Sequence, residues 1–169
     1  GGKILSLKCQ DVEVISQSPM RETFGSTFWT SPQKEWNWPP VQEYDKMPYS
    51  VEEEEGTLIL NSQVSDRLKY RIRKEFATDK KDNSFVITYS IINESGVVRR
   101  VAPWEITRVP NEDGLIFFDA PVAGITPVGL MAFTSAEGVS WYRADAADSN
   151  RKINADGKGW LAYYNKGLL

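Results

Sequence analysis

The stretch Leu68–Asn93, LKYRIRKEFATDKKDNSFVITYSIIN, decides the fold class. Leu68, Tyr70, Ile72 and Phe76 alternate with Lys69, Arg71, Arg73 and Glu75, a period of two that buries one side of a strand and wets the other. Lys74 breaks the apolar side once. After the charged turn Thr78 to Asn83, a second strand is predicted over Ser84–Asn93. It carries Phe85, Ile87, Tyr89 and Ile91 on one side and Val86, Thr88, Ser90 and Ile92 on the other, a pattern suited to cover on both sides. The two segments predict a long antiparallel hairpin, with Leu68, Tyr70, Ile72, Phe85, Ile87, Tyr89 and Ile91 in a core shared by two facing sheets. Arg71 and Arg73 read either as cross-strand charge partners or as anion contacts on a concave sheet.

Working outward, the same grammar recurs. Lys3–Leu7 and Val12–Ser16 read as strands joined at Gln10-Asp11, and Glu52 to Glu55 with Gly56 reads as a solvated edge or turn leading into a strand at Thr57–Asn61. Val97–Val109 reads as a strand bent at Pro103 in APWE, since proline inside a strand implies an edge, a bulge or an end. Leu115–Phe118, Leu130–Thr134, Val139–Tyr142 and Gly159–Tyr164 complete the set, with a Gly/Pro loop at Ala120–Val128. Arg143–Lys158 is polar, with Asp145, Asp148, Asn150, Asn154 and Asp156, and is expected to be a surface loop. It lacks the glycine and terminal-glutamate spacing of a helix-loop-helix calcium site. No dozen residues show the spacing i, i+3, i+4, i+7 of an amphipathic helix, so the class is all-β, an antiparallel β-sandwich built as a single domain over residues 1–169.

One segment departs from this grammar. Phe24–Tyr49, FGSTFWTSPQKEWNWPPVQEYDKMPY, holds Trp29, Trp36, Trp38 and four prolines. Pro39 and Pro40 lack backbone donors and Trp38 is pushed towards extended geometry, so a rigid irregular loop is expected. Its indoles either plug one end of the sandwich or lie over sugar faces, with Gln33, Glu35, Asn37, Gln42 and Glu43 placed to meet hydroxyls.

Composition narrows the chemistry. The chain has 169 residues, with 20 basic against 23 acidic and a formal charge of -3, which gives no pull towards nucleic acid or an anionic membrane. No apolar run is long enough to span a bilayer. Cys9 is the only cysteine and histidine is absent, which removes a disulfide within the chain, imidazole ligation of a metal and the Ser-His-Asp arrangement. No cofactor and no metal are expected. A periplasmic or secreted location is favoured over a cytoplasmic one, Gly1-Gly2 being compatible with a removed signal peptide.

With these motifs in place, the chain resembles the galactose mutarotase-like (aldose epimerase-like) β-supersandwich proteins, and more closely a bacterial domain of unknown function among them. The resemblance rests on FGSTFWTSPQKEWNWPP (Phe24–Pro40), INESGVVRRVAPWEITRVPNEDGLIFF (Ile92–Phe118) and GWLAYYNKGLL (Gly159–Leu169). It implies a concave sugar-binding sheet with the aromatic loop over one end and the APWE segment reaching into the site. Mutarotases of this kind use a histidine acid after the asparagine turn and a glutamate base near the C-terminus. Here the corresponding segment reads Ala102-Pro103-Trp104-Glu105, and Lys166-Gly167-Leu168-Leu169 ends on apolar residues, as a cut strand or domain does.

The expected site therefore comprises Trp29, Gln33, Trp36, Trp38, Trp104 and Arg108 as ligand contacts and Glu105 as the candidate catalytic carboxylate, with Arg108 its expected charge partner. Three functions follow. The first is a saccharide-binding protein without the usual His/Glu chemistry, the second an epimerase- or glycosidase-like enzyme pairing Glu105 with Asp119 or Glu35, and the third a structural or interaction domain whose aromatics are core.

Overall fold

The structure is a computed structural model that describes residues 1–17, 24–144 and 151–168. Asp145, Asp148 and Asn150 of the expected polar loop lie outside the described residues. In chain order the strands are β1 (Lys8–Cys9), β2 (Val12–Glu13), β3 (Ser26–Ser31), β4 (Ser50–Glu54), β5 (Thr57–Asn61) and β6 (Tyr70–Asp79). They continue with β7 (Ser84–Asn93), β8 (Ala102–Thr107), β9 (Leu115–Phe118), β10 (Thr134–Ala136), β11 (Val139–Arg143) and β12 (Leu161–Tyr164). The single α-helical turn among the described residues is α1, Gln42–Asp45. The protein is all-β and its paired strands are antiparallel throughout the named sheets.

The chain divides into two compact units. The first, Gly1–Leu7 with Ile15–Arg108, holds a four-stranded sheet in the order β4-β5-β6-β7 and a two-stranded ribbon of β3 and β8. The ribbon and the sheet share one core, in which Phe28 and Trp29 of β3 join Leu68, Tyr70 and Ile72, with Tyr89, Ile91, Trp104 and Ile106 packed against them. Phe28 stacks on Tyr89 with ring centroids 4.5 Å apart. Because successive strand residues face opposite ways, Trp29 projects from the other face of β3, towards the aromatic loop and α1. β3 is thus covered on both faces.

The hairpin of β6 and β7 has the expected register, Tyr70 opposite Asn93 and Asp79 opposite Ser84. Two expected core residues are corrected: Phe85 is 66% and Ile87 37% exposed. The covering ribbon pairs over six residues, Ser26 to Ser31, whereas β6 and β7 pair over ten, so the distal part of the hairpin runs past its cover. Arg71 pairs with Glu94, and Arg73 lies 3.0 Å from Glu75, so both arginines act as surface charge partners. The glutamate run is an edge strand, β4, joined to β5 through Glu55-Gly56, both at positive φ as a tight hairpin turn demands.

The second unit, Lys8–Val14 with Val109–Leu169, holds the sheet β10-β11-β9-β12 and the short hairpin of β1 and β2. Phe118, Ala120 and Ile125 form its core, with Ile116, Phe133, Ile153 and Ala155 against them. The turn at Gln10-Asp11 appears where expected, but its arms are only two residues each. Lys3–Leu7 is not the other arm; Ile4 instead exchanges both backbone hydrogen bonds with Ser26 in the first unit. Asn154 exchanges two backbone hydrogen bonds with Thr126.

Candidate functional site

The aromatic loop is held at many points along its length. After β3, Pro32 leads into a 3-10 turn at Gln33–Glu35, and the backbone N–H groups of Trp36 and Asn37 both donate to the Gln33 carbonyl. The Trp36 indole N–H donates to the Thr30 carbonyl at 2.8 Å, and the Arg67 guanidinium donates to the Trp36 carbonyl at 2.9 Å. Beyond the two prolines, the Gln42 amide donates to the Pro40 carbonyl, and the Tyr44 hydroxyl reaches the Tyr70 carbonyl at 2.9 Å. Such cross-links make an irregular segment rigid, because each satisfies a polar group that would otherwise need water.

Trp29 is the hub of what this loop builds. Trp36 meets it edge-on at 5.6 Å, Trp104 at 5.5 Å and Trp38 at 6.0 Å, and Trp36 also packs against Trp104 at 6.1 Å. The Arg108 guanidinium lies 6.0 Å from the Trp29 ring, a cation–π arrangement. Burial lowers the Arg108 pKa, and the negative charges of Asp45 and Glu105 act the other way. Trp29 and Trp36 are buried and Trp104 half-buried, while Trp38 is 65% exposed. Four of the six expected contact residues therefore gather around a fifth, Trp29. Gln33 is exposed and has a supporting part, its amide donating to the Asn37 carbonyl at 3.4 Å.

Glu105 does not join them. β8 pairs regularly with β3 from Ala102 to Thr107 despite Pro103, so Trp104 and its neighbour Glu105 point to opposite faces of the ribbon. Glu105 sits opposite Phe28, where its carboxylate accepts hydrogen bonds from Ser26 Oγ and, at 3.0 and 2.9 Å, from Thr107 Oγ1. Glu35 lies on the loop side, where its charge helps burial to raise the Tyr70 pKa. Asp119 belongs to the second unit and lies 3.8 Å from Lys158 Nζ.

Two ionisable residues that sequence reasoning did not place as functional are buried in the first unit, Asp45 against the cluster and Lys74 on the sheet. Asp45, at the end of α1, accepts from the Trp29 indole at 3.0 Å and from Thr27 Oγ1 at 3.4 Å, and lies 3.6 Å from Lys3 Nζ. Lys74 is 1% exposed. Its ammonium donates to the Gly2 carbonyl at 2.6 Å and lies 5.1 Å from the Tyr49 ring and 5.9 Å from the Tyr89 ring. Burial pulls its pKa down to about 8, against the opposing pull of Asp45 and Glu105. Tyr89 is pushed up to about 12, first by burial and then by the Glu105 charge. The one signal for Lys74 was its break in the alternation of β6; nothing in the sequence marked Asp45. Among the described residues, Thr30 Oγ1 and the Tyr70 hydroxyl are buried without a hydrogen-bond partner. No group of three or more carboxylate or thiol side chains among the described residues is placed to hold a metal ion. Among the described residues no helix is long and apolar enough to cross a membrane.

Chemically, the arrangement offers one largely exposed indole on a cross-linked loop that also carries the exposed amides of Gln33 and Asn37. Compared with protein-family models, curated proteins and solved structures, the chain matches none.

Proposed function

We propose that this is a saccharide-binding protein of galactose mutarotase-like descent, with Trp38 as the stacking platform. The observation that carries the reading is the contrast within the cluster: Trp29, Trp36 and Trp104 are wholly or partly buried against one another, and Trp29 alone meets a fourth indole, Trp38, edge-on in solvent. An indole left largely in water on a cross-linked loop is open to a ligand, and its face matches the apolar face of a pyranose. Asn37, next to it in the chain, and Gln33, four residues before Asn37, are both exposed and carry amides that suit hydroxyls.

Binding is favoured over ring-opening catalysis on chemical grounds. Mutarotation requires an acid at the ring oxygen and a base at the anomeric hydroxyl, each within about 3 Å of its proton. The chain has no histidine, and Glu105 lies on the face of the ribbon away from the indoles.

The test is a panel of mono- and oligosaccharides titrated by calorimetry and thermal shift against the parent chain and Trp38→Ala. A bound sugar at about 100 times its dissociation constant adds about 2.7 kcal/mol of stability. Trp38→Ala is expected to weaken binding about 5- to 150-fold while leaving the ligand-free melting temperature unchanged, taking for a sugar face the roughly 1 to 3 kcal/mol that stacking on an aromatic is worth for a nucleobase. Binding that survives Trp38→Ala undiminished, or no binding across the panel, refutes the reading.

A further inference from the structure

The four-stranded sheet of the first unit has two edges of opposite character. At one edge, β4 is exposed along its length and carries Glu52, Glu53 and Glu54, with Glu55 in the following turn. Charges of this kind oppose the addition of a further strand. At the other edge, β7 has no charged residue from Ser84 to Asn93 and, among the described residues, pairs with β6 alone. Its first five residues, Ser84 to Thr88, are all exposed, and Phe85, Val86 and Ile87 among them are large and apolar. Leu58 extends the same face inward, through the row Leu58, Phe76 and Ile87, and is itself exposed.

An open row of backbone N–H and C=O groups fixes the chemistry of what can dock: another extended strand. The sequence of β7 fits itself. With Val86 on a two-fold axis, antiparallel pairing sets Phe85 opposite Ile87 of the second copy, Ile87 opposite its Phe85, and Ser84 opposite Thr88. Each cross-strand pair is apolar with apolar or hydroxyl with hydroxyl, the pairings that stabilise sheets, and no charge is buried. Pairing β7 with β4 of a second copy would instead press glutamates against Phe85, Val86 and Ile87, which costs desolvation without a partner cation. The sheet therefore closes at two copies rather than growing.

We propose that the chain self-associates as a symmetric dimer through antiparallel pairing of β7 with β7, centred on Val86. The contact is small, a five-residue strand from each copy, and belongs with weak interfaces below about 1,200 Å². Sedimentation velocity on the full chain from about 10 µM to about 1 mM is expected to show a reversible monomer–dimer equilibrium, the range in which such small interfaces associate. Val86→Lys sets two ammonium groups on the axis and is expected to leave a monomer throughout, with the melting temperature unchanged because Val86 is an exposed side chain. In a Cys9→Ser background, Val86→Cys is expected to form a disulfide dimer on oxidation. Directly opposed residues of an antiparallel pair have Cα atoms about 4.5–5.5 Å apart, within disulfide reach. Val98→Cys, fully exposed on the loop after β7, is the control and is expected to remain a thiol. A parent chain that stays monomeric over the whole range, a dimer that survives Val86→Lys, or equal cross-linking of the Val86 and Val98 variants would each overturn the proposal.

Discussion

Replacing Lys74 with methionine tests whether its buried ammonium works against the fold. The side chain has no access to solvent, and burial brings its pKa from 10.5 in the open chain to about 8 in the folded one. At about 1.4 kcal/mol per pKa unit, a gap of that size costs the folded state on the order of 3 kcal/mol wherever both states are protonated, below about pH 8. Between pH 8 and 10.5 the unfolded chain holds the proton and the folded chain does not, so stability rises with pH across that window. Working the two titrations through, the parent chain should gain about 2 kcal/mol between pH 7 and 9.5 from this group. Tyr44, Tyr49 and Tyr89 act in the opposite direction above pH 10, since burial raises each of them and only the unfolded chain then loses the phenolic proton. They are present in both chains, so their effect largely cancels in the difference. Lys74→Met also leaves the Gly2 carbonyl without its donor, a cost of about 1 to 3 kcal/mol that does not depend on pH. Urea melts of both chains at pH 7 and 9.5 give the answer: the parent should gain about 2 kcal/mol on the variant between the two. Parallel curves would mean that Lys74 keeps an ordinary pKa and that the environment assigned to it is wrong.

The reach of the ribbon over the hairpin predicts unequal costs along β6 and β7. Ile72→Ala, at a fully buried position, should cost about 2 to 5 kcal/mol, whereas Ile87→Ala, on the uncovered part of β7, should cost under about 1; equal midpoint shifts in urea would refute that reach. Glu105→Gln keeps the hydrogen-bond geometry to Ser26 and Thr107, so saccharide affinity should be unchanged within about twofold, a bound set by remoteness from the indoles. In polarimetry on freshly dissolved glucose, galactose and xylose, neither the parent chain nor this variant should exceed the buffer rate. A parent rate well above buffer that collapses in Glu105→Gln would favour a carboxylate enzyme over the binder.

How much of this was legible depended on which kind of information each feature needs. β5, β7 and β9 lie where period two and turn residues place them, because those signals are local. Phe85 and Ile87 have the right face but the wrong environment: alternation tells which side of a strand faces the core, and only the length of the covering ribbon tells how far the core extends. The same limit explains Glu105. Pro103 suggested a bend that would aim it at the indoles, yet β8 stays in register, and in a regular strand Trp104 and Glu105 cannot share a face. Asp45 was invisible, since its importance comes from the Trp29 indole, sixteen positions away in sequence and joined to it only by the return of the loop.

The tryptophans divide across the choice between core and site that sequence alone posed. Trp29 and Trp36 are buried, and in the proposed reading their burial is what prepares Trp38 to stack. A ring that moves freely pays about 0.5 to 1.5 kcal/mol in lost rotamer freedom when a ligand immobilises it. One braced edge-on against Trp29, on a loop pinned through Trp36 and Gln42, has less of that freedom left to lose. Asp45 extends the bracing inward, because its carboxylate fixes the Trp29 indole on which Trp38 leans. Loosening that support should therefore show first in ligand affinity. Asp45→Asn retains an acceptor for the indole and should bind sugar nearly as the parent does. Asp45→Ala leaves the buried indole N–H unpaired, which costs about 1 to 3 kcal/mol of stability, and it frees the ring beneath Trp38. If the alanine variant loses stability by that amount but binds sugar as tightly as the asparagine variant, the bracing argument fails and Trp38 stacks unaided.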